Sequence, residues 1–372
     1  MLFLAETHNT GDPTPYLQAE RARIYELLQA GIVETVLLKA DRSGAIVLLR
    51  AADAAAARDA LSSLPLVANG ITRFGEFTEV ISTEEARSAL QAGPAAASQL
   101  PELLGKYFAA RAAQDVDATL AYLSPDMITY TDATLGMAEN SYAAIKAGFE
   151  QYMPAWAPPA RSYPTKILAG SESALVYLVD TPEMFGGELR ILAAVDFADG
   201  KIVRWIDYWD ASAYDSGLYG QMRAPADRFP RDMQESKVAT TAPAELTRAA
   251  TALHKAFAAP DAPAAAAAMH TDVVFTDMAL RTQVVGRIET VRYLERVLGQ
   301  VPYGQGSVLR HVVGGADGGG FEWTAGPDAG QLVGITAIEL DADGLITAIT
   351  SVYDSRQIDP ARKRALLEVS FA

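Results

Sequence analysis

The sequence has no cysteine, and its four histidines, His8, His254, His270 and His311, show no close ligand spacing. A disulfide framework, a thiol nucleophile and a thiolate metal site are therefore excluded, and no metal is expected. Basic side chains are in the minority: 31 Lys and Arg against 46 Asp and Glu leave a net charge of −15. A broad phosphate-tracking surface needs the opposite excess, so nucleic acid is not an expected partner. No apolar run is long enough to span a bilayer. The opening Met-Leu-Phe-Leu-Ala is too short for a signal h-region, lacks a basic start and meets Glu6 at once. A soluble, cytoplasmic protein with no membrane partner is the expectation.

What is present is apolar bulk and a repeat. Half of the 372 residues are apolar, enough for two or three domains with sizeable cores. Met127-Ile-Thr-Tyr-Thr-Asp132 returns about 145 residues later as Asp272-Val-Val-Phe-Thr-Asp277. Asp199-Gly-Lys-Ile-Val-Arg-Trp-Ile-Asp-Tyr-Trp-Asp210 returns as Asp343-Gly-Leu-Ile-Thr-Ala-Ile-Thr-Ser-Val-Tyr-Asp354. The copies differ where chemistry would sit, since Ser351 stands where the first copy has Asp207.

Pattern and turn residues predict an α+β chain of three domains: residues 1–88, a linker at 89–99, a first copy at 100–216, a linker at 217–243 and a second copy at 244–372. Residues 1–82 read as strand, helix, strand, strand, helix, strand, with Asp53 as the cap of the second helix; that order fits a ferredoxin-like sandwich. The Gly-Pro-Ala-Ala-Ala-Ser run at 93–98 reads as linker, and the glycine runs Gly314-Gly315 and Gly318-Gly-Gly320 read as turns. Each copy reads as helices wrapped by a curved antiparallel sheet with one concave face.

Stretches such as Glu34-Thr-Val-Leu-Leu-Lys39 and Leu61-Ser-Ser-Leu-Pro-Leu-Val67 resemble the muconolactone isomerase and YCII-related families of dimeric α+β barrels. That resemblance implies a partnered sheet face and makes His8, at the end of the first strand, a candidate. Residues 100–212 resemble the nuclear transport factor 2-like superfamily, in its SnoaL-like polyketide cyclase, ketosteroid isomerase and limonene-epoxide hydrolase branches, and 244–356 resemble a diverged member. The implied fold is a pair of cone-shaped α+β barrels. Members commonly pair through their sheets, which implies intrachain pairing of the copies, with the first domain either joining whole chains as a homodimer or capping the pocket.

Side chains alternate across a strand, so Trp205, Asp207 and Trp209 share one face and Ile206, Tyr208 and Asp210 the other. On a concave face Asp207 is a carboxylate between two indoles, where desolvation raises its pKa into the range useful for proton transfer near neutrality. The same parity joins Tyr130 to Asp132, the second candidate acid or base. In the limonene-epoxide hydrolase branch the last strand reads Trp-Arg-Asp-Tyr-Phe-Asp with its first Asp catalytic. The match to Trp205-Ile-Asp-Tyr-Trp-Asp210 implies that role for Asp207, and Tyr130-Thr-Asp132 stands where the branch positions a water. The branch's middle-strand Arg-x-Asp is met only by Leu178-Val-Asp180, without the Arg. The ketosteroid isomerase branch implies an oxyanion donor in Tyr107 and a proton shuttle in Asp132, with Ala193 where its neutral aspartic acid would be.

The expected site is Asp207, Asp132, Tyr107, Tyr130 and Asp180, with Trp205, Trp209, Trp156 and Tyr177 as substrate walls and Asp277 as a remnant in the second copy. Its equivalents there are read as Ala256 for Tyr107, Phe275 for Tyr130, Asp277 for Asp132 and Ser351 for Asp207. Blander roles stand beside these: turn aspartates for Asp132, Asp180 and Asp277, an exposed strand face for Asp207, a core tyrosine for Tyr107. Paired carboxylates with phenolic donors suit a cofactor-independent isomerase, cyclase or lyase acting on an apolar, carbonyl-bearing polyketide or terpenoid metabolite. Epoxide hydrolysis or hydration in the same pocket, and a non-catalytic binding or scaffold protein, are the alternatives.

Overall fold

The computed structural model describes residues 2–80, 99–230, 232–240, 242–327 and 332–370, so the run at 93–98 lies outside the described residues. The chain forms two compact units, Met1–Ala97 and Ser98–Ala372. Among the described residues no helix is long and apolar enough to cross a membrane.

In the first unit, β1 (Leu2–Asn9), helix Leu17–Gln29, β2 (Val33–Leu38), β3 (Ala45–Arg50), helix Ala54–Ser62 and β4 (Thr72–Val80) follow in order. The strands form one antiparallel sheet, β2-β3-β1-β4. Asp53 caps its helix by accepting from Ala56 N at 2.8 Å. Phe3, Ala5, Val47 and Leu49 bury one sheet face against Leu27, Ala57 and Leu61 of the helices.

The second unit contains two six-stranded sheets of one topology. The first, β6-β5-β10-β9-β8-β7, comprises β5 (Thr129–Asp132), β6 (Met137–Glu139), β7 (Ser162–Ala169), β8 (Ser173–Asp180), β9 (Leu189–Ala198) and β10 (Lys201–Tyr208). The second, β12-β11-β16-β15-β14-β13, comprises β11 (Met269–Asp277), β12 (Thr282–Val285), β13 (Val308–Gly315), β14 (Gly318–Thr324), β15 (Val333–Leu340) and β16 (Ile346–Tyr353). In each, an early strand, β5 or β11, runs parallel to the last strand, and the other neighbouring strands pair antiparallel.

One face of each sheet packs on its own helices; the opposite faces meet each other. Leu175, Leu192, Ala194 and Ile206 form a common core with Val313, Ile335, Ala337 and Val352. A fully buried ionic cluster lies in the same seam. Arg204 donates to Asp196 Oδ2 at 3.1 Å, to both Glu322 oxygens at 2.8 Å and to the Met233 carbonyl at 2.9 Å. His311 Nε2 lies 2.8 Å from Asp196 Oδ1, and the Tyr208 hydroxyl donates to Glu322 at 2.5 Å. Burial opposes the charge on Glu322, but the adjoining Arg204 guanidinium prevails and holds its pKa down at about 2.

Two sequence readings change here. The glycines at 314–315 are more than turn residues: a Cβ on Gly315 would fall 2.1 Å from the Ala169 carbonyl oxygen, because the two hairpins approach backbone to backbone. The described residues of 217–243 pack onto the unit, since Phe229 and Met233 are buried and Glu235 accepts two hydrogen bonds from Arg310 at 2.5 and 2.7 Å.

Candidate active site

The site lies on the helix-packed face of the first sheet. On β10 a register shift between Ile202 and Arg204 falls before the tryptophans, so Trp205, Asp207 and Trp209 keep the common face that simple alternation predicts. Because β5 runs parallel beside it, Asp132 is the direct partner of Asp207, and Tyr130 that of Trp205. Helix Leu100–Ala112 presents Tyr107 and Arg111, four residues apart and so on one helix face, to that strand pair.

A cavity of about 420 Å³ opens on these groups. Arg111, Tyr130, Asp132, Asp180 and Asp207 give it polar character, and Met137, Ile145, Phe149, Met153, Trp156, Phe185, Leu189 and Ile191 form apolar walls. Trp205 and Trp209 are buried outside this lining, and each supports a carboxylate. Trp205 Nε1 donates to Asp207 Oδ1 at 2.7 Å, and Trp209 Nε1 donates to Asp132 Oδ2 at 2.9 Å. The Trp205 ring also stacks on Tyr130, with centroids 5.8 Å apart and planes 9° from parallel.

The two carboxyls differ in surroundings. Asp132 Oδ1 accepts from Thr134 N at 2.9 Å and Leu135 N at 2.8 Å, so it does serve as a turn aspartate while its second oxygen accepts from Trp209 and the residue lines the cavity. Burial raises its pKa to about 6, with those donors opposing. Asp207 is raised further, to about 8, first by burial and then by the charge of Asp132. Burial and the neighbouring Asp132 charge thus favour the protonated form of Asp207 more than that of Asp132.

Arg111, absent from the sequence-based site, is its cation. Nη1 donates to the Tyr130 hydroxyl at 2.7 Å and to the Tyr107 hydroxyl at 3.3 Å, while Nη2 lies 3.9 Å from Asp180 Oδ2. The guanidinium stands over the Trp156 ring at 5.6 Å. A positive partner for Asp180 thus comes from a helix rather than from the middle strand. Burial raises the Asp180 pKa, with Arg111 opposing.

Besides Trp205 and Trp209, which back the carboxylates and are not the expected walls, three further expected residues lie outside the lining. Tyr107 is fully buried behind Tyr130, with its hydroxyl turned to Arg111 and Tyr130 and not in the cavity lining. Tyr177 is on the opposite face of β8 from Asp180 and packs in the seam between the sheets, so it is not a wall of the cavity. His8 sits in the first unit, exposed, beside Lys39 and Glu6.

The second copy is filled. The buried stripe Leu100, Leu104, Tyr107, Phe108, Arg111 reappears as Leu246, Ala250, Leu253, His254, Phe257, and Asp115 and Asp261 cap the following helices alike. Tyr107 therefore corresponds to Leu253 rather than to Ala256, and Arg111 to Phe257. Strand register matches Ser351 to Asp207 and Ala325 to Asp180. Asp277 is retained but enclosed: it accepts from Leu280 N at 2.8 Å, Tyr303 at 3.0 Å and Tyr353 at 3.3 Å. The Trp323 ring covers Gly334, where a Cβ would lie 2.3 Å from it. Among the described residues no cluster of His, Asp and Glu able to hold a metal is present.

No protein-family model matches the sequence, and no curated protein matches it. Solved structures do show similarity of fold. A steroid delta-isomerase from Pseudomonas aeruginosa is 18% identical, over 36% of this chain and 93% of its own, with a TM-score of 0.29. A SnoaL-like protein of unknown function from Burkholderia thailandensis is 12% identical, over 32% of this chain and 100% of its own, with a TM-score of 0.27. An NTF2-like protein of unknown function from Cytophaga hutchinsonii is 12% identical, over 30% of this chain and 91% of its own, with a TM-score of 0.26.

Proposed function

We propose that the first copy is a cofactor-independent acid–base enzyme, an isomerase, cyclase or lyase, acting on an apolar molecule that carries a carbonyl group. The observation that carries this reading is the placing of Asp207 and Asp132 side by side on adjoining strands, beside an Arg111-held Tyr130 phenol, in the lining of an apolar cavity. Asp207 supplies the proton at neutral pH or, once ionised, removes one from the carbon next to the carbonyl; its raised pKa makes it a stronger base than an ordinary aspartate. Arg111 polarises Tyr130, a residue of the cavity lining, and in this scheme the Tyr130 hydroxyl stabilises negative charge developing on the carbonyl oxygen. Asp132, held by three donors, keeps its place and biases the proton toward Asp207. No redox step or group transfer enters this scheme. The second copy, with Phe257, Phe275, Ala325 and Ser351 at the matching positions, supports the first. Pairing of whole chains belongs to the same reading, and a dimer is the expected mass in light scattering.

The test is mass spectrometry of a small-molecule extract of the producing cells, incubated with wild type and with Asp207→Asn. A species converted only by wild type at unchanged mass supports isomerisation or cyclisation. A species retained unchanged by both proteins sinks the catalytic reading in favour of a binding role.

Epoxide hydration is a second reading, favoured by Arg111 standing 3.9 Å from Asp180, which supplies the cation that the middle strand lacks. Oxygen from ¹⁸O-labelled water appearing in product separates it from isomerisation.

A further inference from the structure

The chain that leaves β10 folds back along the cavity. Helix Ser216–Met222 places Gln221 and Met222 in the cavity lining, and the Tyr214 hydroxyl before it donates to the carbonyl of Phe185, another lining residue. The segment is re-anchored by Ala224 N to the Leu135 carbonyl at 2.7 Å. A helix this short does not hold its shape unaided, so its order depends on what it is tied to.

The ties come from the second copy. The Tyr219 hydroxyl donates to Asp354 Oδ2 at 2.5 Å. Arg356 donates from Nε to the Ala211 carbonyl at 2.6 Å and from Nη2 to the Tyr214 carbonyl, and its guanidinium lies 5.1 Å from the Tyr219 ring centre. Asp210 accepts from Ser355 N at 3.0 Å and Ser355 Oγ at 2.7 Å. Asp354 and Ser355 are buried, and they directly follow β16, the strand on which Ser351 replaces the acid.

We propose that the second copy is the positioning element of the first copy's cavity: Asp354 and Arg356 hold residues 214–222 against it and so govern how tightly and for how long an apolar molecule is retained. The two are positioning residues, acting through Tyr219 and the backbone of 211–214. This rests on the acid–base reading only in taking that cavity as the working site. It gives a role to a copy whose own interior is filled while the end of its last strand stays polar and engaged.

The test uses the full chain with Tyr219→Phe, which removes one hydroxyl, and Arg356→Met, which removes the guanidinium. Hydrogen exchange followed by mass spectrometry reads the 214–223 amides without ligand, and 2-naphthol, a bicyclic phenol small enough for the cavity, reports retention through its fluorescence. Both variants should exchange roughly 10-fold or more faster in 214–223 and release 2-naphthol faster, as expected when a locally ordered segment opens more often. Unchanged exchange in 214–223 in both variants, with near-ultraviolet dichroism showing native packing, overturns the proposal. So does faster exchange with unchanged release, since the ties would then be merely structural. Because exchange is read without ligand, its failure leaves the acid–base reading standing. A lack of effect of Asp207→Asn on turnover would sink that reading and leave the brace.

Discussion

Asp207 and Asp132 stand side by side on the parallel pair β10 and β5, each receiving an indole N–H, from Trp205 and Trp209 respectively. The two carboxyls are equivalent in type and unequal in environment, which separates their proton affinities. Asp132 is tied by two backbone amides and an indole, whereas Asp207 has one indole donor and bears the repulsion of its neighbour.

That inequality makes Asp207 a stability determinant with a definite sign. Its folded pKa, about 8, lies above the ordinary value of 3.8, so between those limits the native state holds a proton that the unfolded chain has released. Wild-type stability from this group is therefore greatest below about pH 4 and declines as pH rises toward 8. Asp207→Asn keeps an acceptor for Trp205 and removes the decline. The variant should gain in melting temperature relative to wild type as pH goes from 5 to 8, while losing activity by about 10²–10⁴-fold. A constant difference in melting temperature over that range would contradict the assignment.

Arg111 should be irreplaceable by lysine. One of its nitrogens serves two phenols while another faces Asp180, and an ammonium is a point charge without that planar fork. Arg111→Lys is expected to lower turnover by about 10-fold or more and Arg111→Met by about 10²–10³-fold, measured on the substrate identified by mass spectrometry. Turnover unaffected in the lysine variant would show that the fork is not used.

The seam between the copies should respond to loss of a single partner. Removing Arg204 leaves Glu322 buried without its countercharge, for which a cost of about 3–5 kcal/mol is expected, so Arg204→Met should lower the urea midpoint clearly. Glu322 has a folded pKa of about 2 against an ordinary 4.5, so its contribution is present above about pH 4.5 and lost as pH falls through 2. In Glu322→Gln that acid-limb dependence should be absent from denaturation measured between pH 5 and 2.

Gly315→Ala tests the close approach of the hairpins. The added methyl meets the Ala169 carbonyl oxygen at 2.1 Å, and both neighbours are backbone, so a shift of strand ends is unavoidable. A loss of about 1–3 kcal/mol in chemical denaturation is expected. Gly344→Ala is a poorer comparison because Gly344 has a φ of +76°, where a side chain is strained in any case. A Gly315→Ala variant as stable as wild type would place the hairpins farther apart.

What the sequence determined by itself is what travels with local periodicity and short-range chemistry. The period-2 alternation of Trp205, Asp207 and Trp209 set their common face, and the nearby irregularity lies upstream of them, between Ile202 and Arg204. The repeat of Thr-Asp at 131–132 and 276–277 marked two strands that both end in turn aspartates. The loss of Asp207 at Ser351 was legible in the same alignment. Tyr177 was misplaced against that very rule: three residues from Asp180, it faces the other way.

Tertiary structure decided the rest, because long-range partners leave no mark on local pattern. Arg111 sits one helical turn beyond Tyr107, a spacing that could have linked them, yet only the packing of that helix on β5 and β10 delivers its charge to Tyr130 and Asp180. The 145-residue separations that join Asp210 to Ser355 and Ala211 to Arg356 arise from two sheets meeting face to face. Volume separates the matching interiors of the two copies: Trp323 over Gly334 and Phe257 in place of Arg111 occupy the second, while the first retains about 420 Å³ beside the half-buried carboxyls of Asp207 and Asp132.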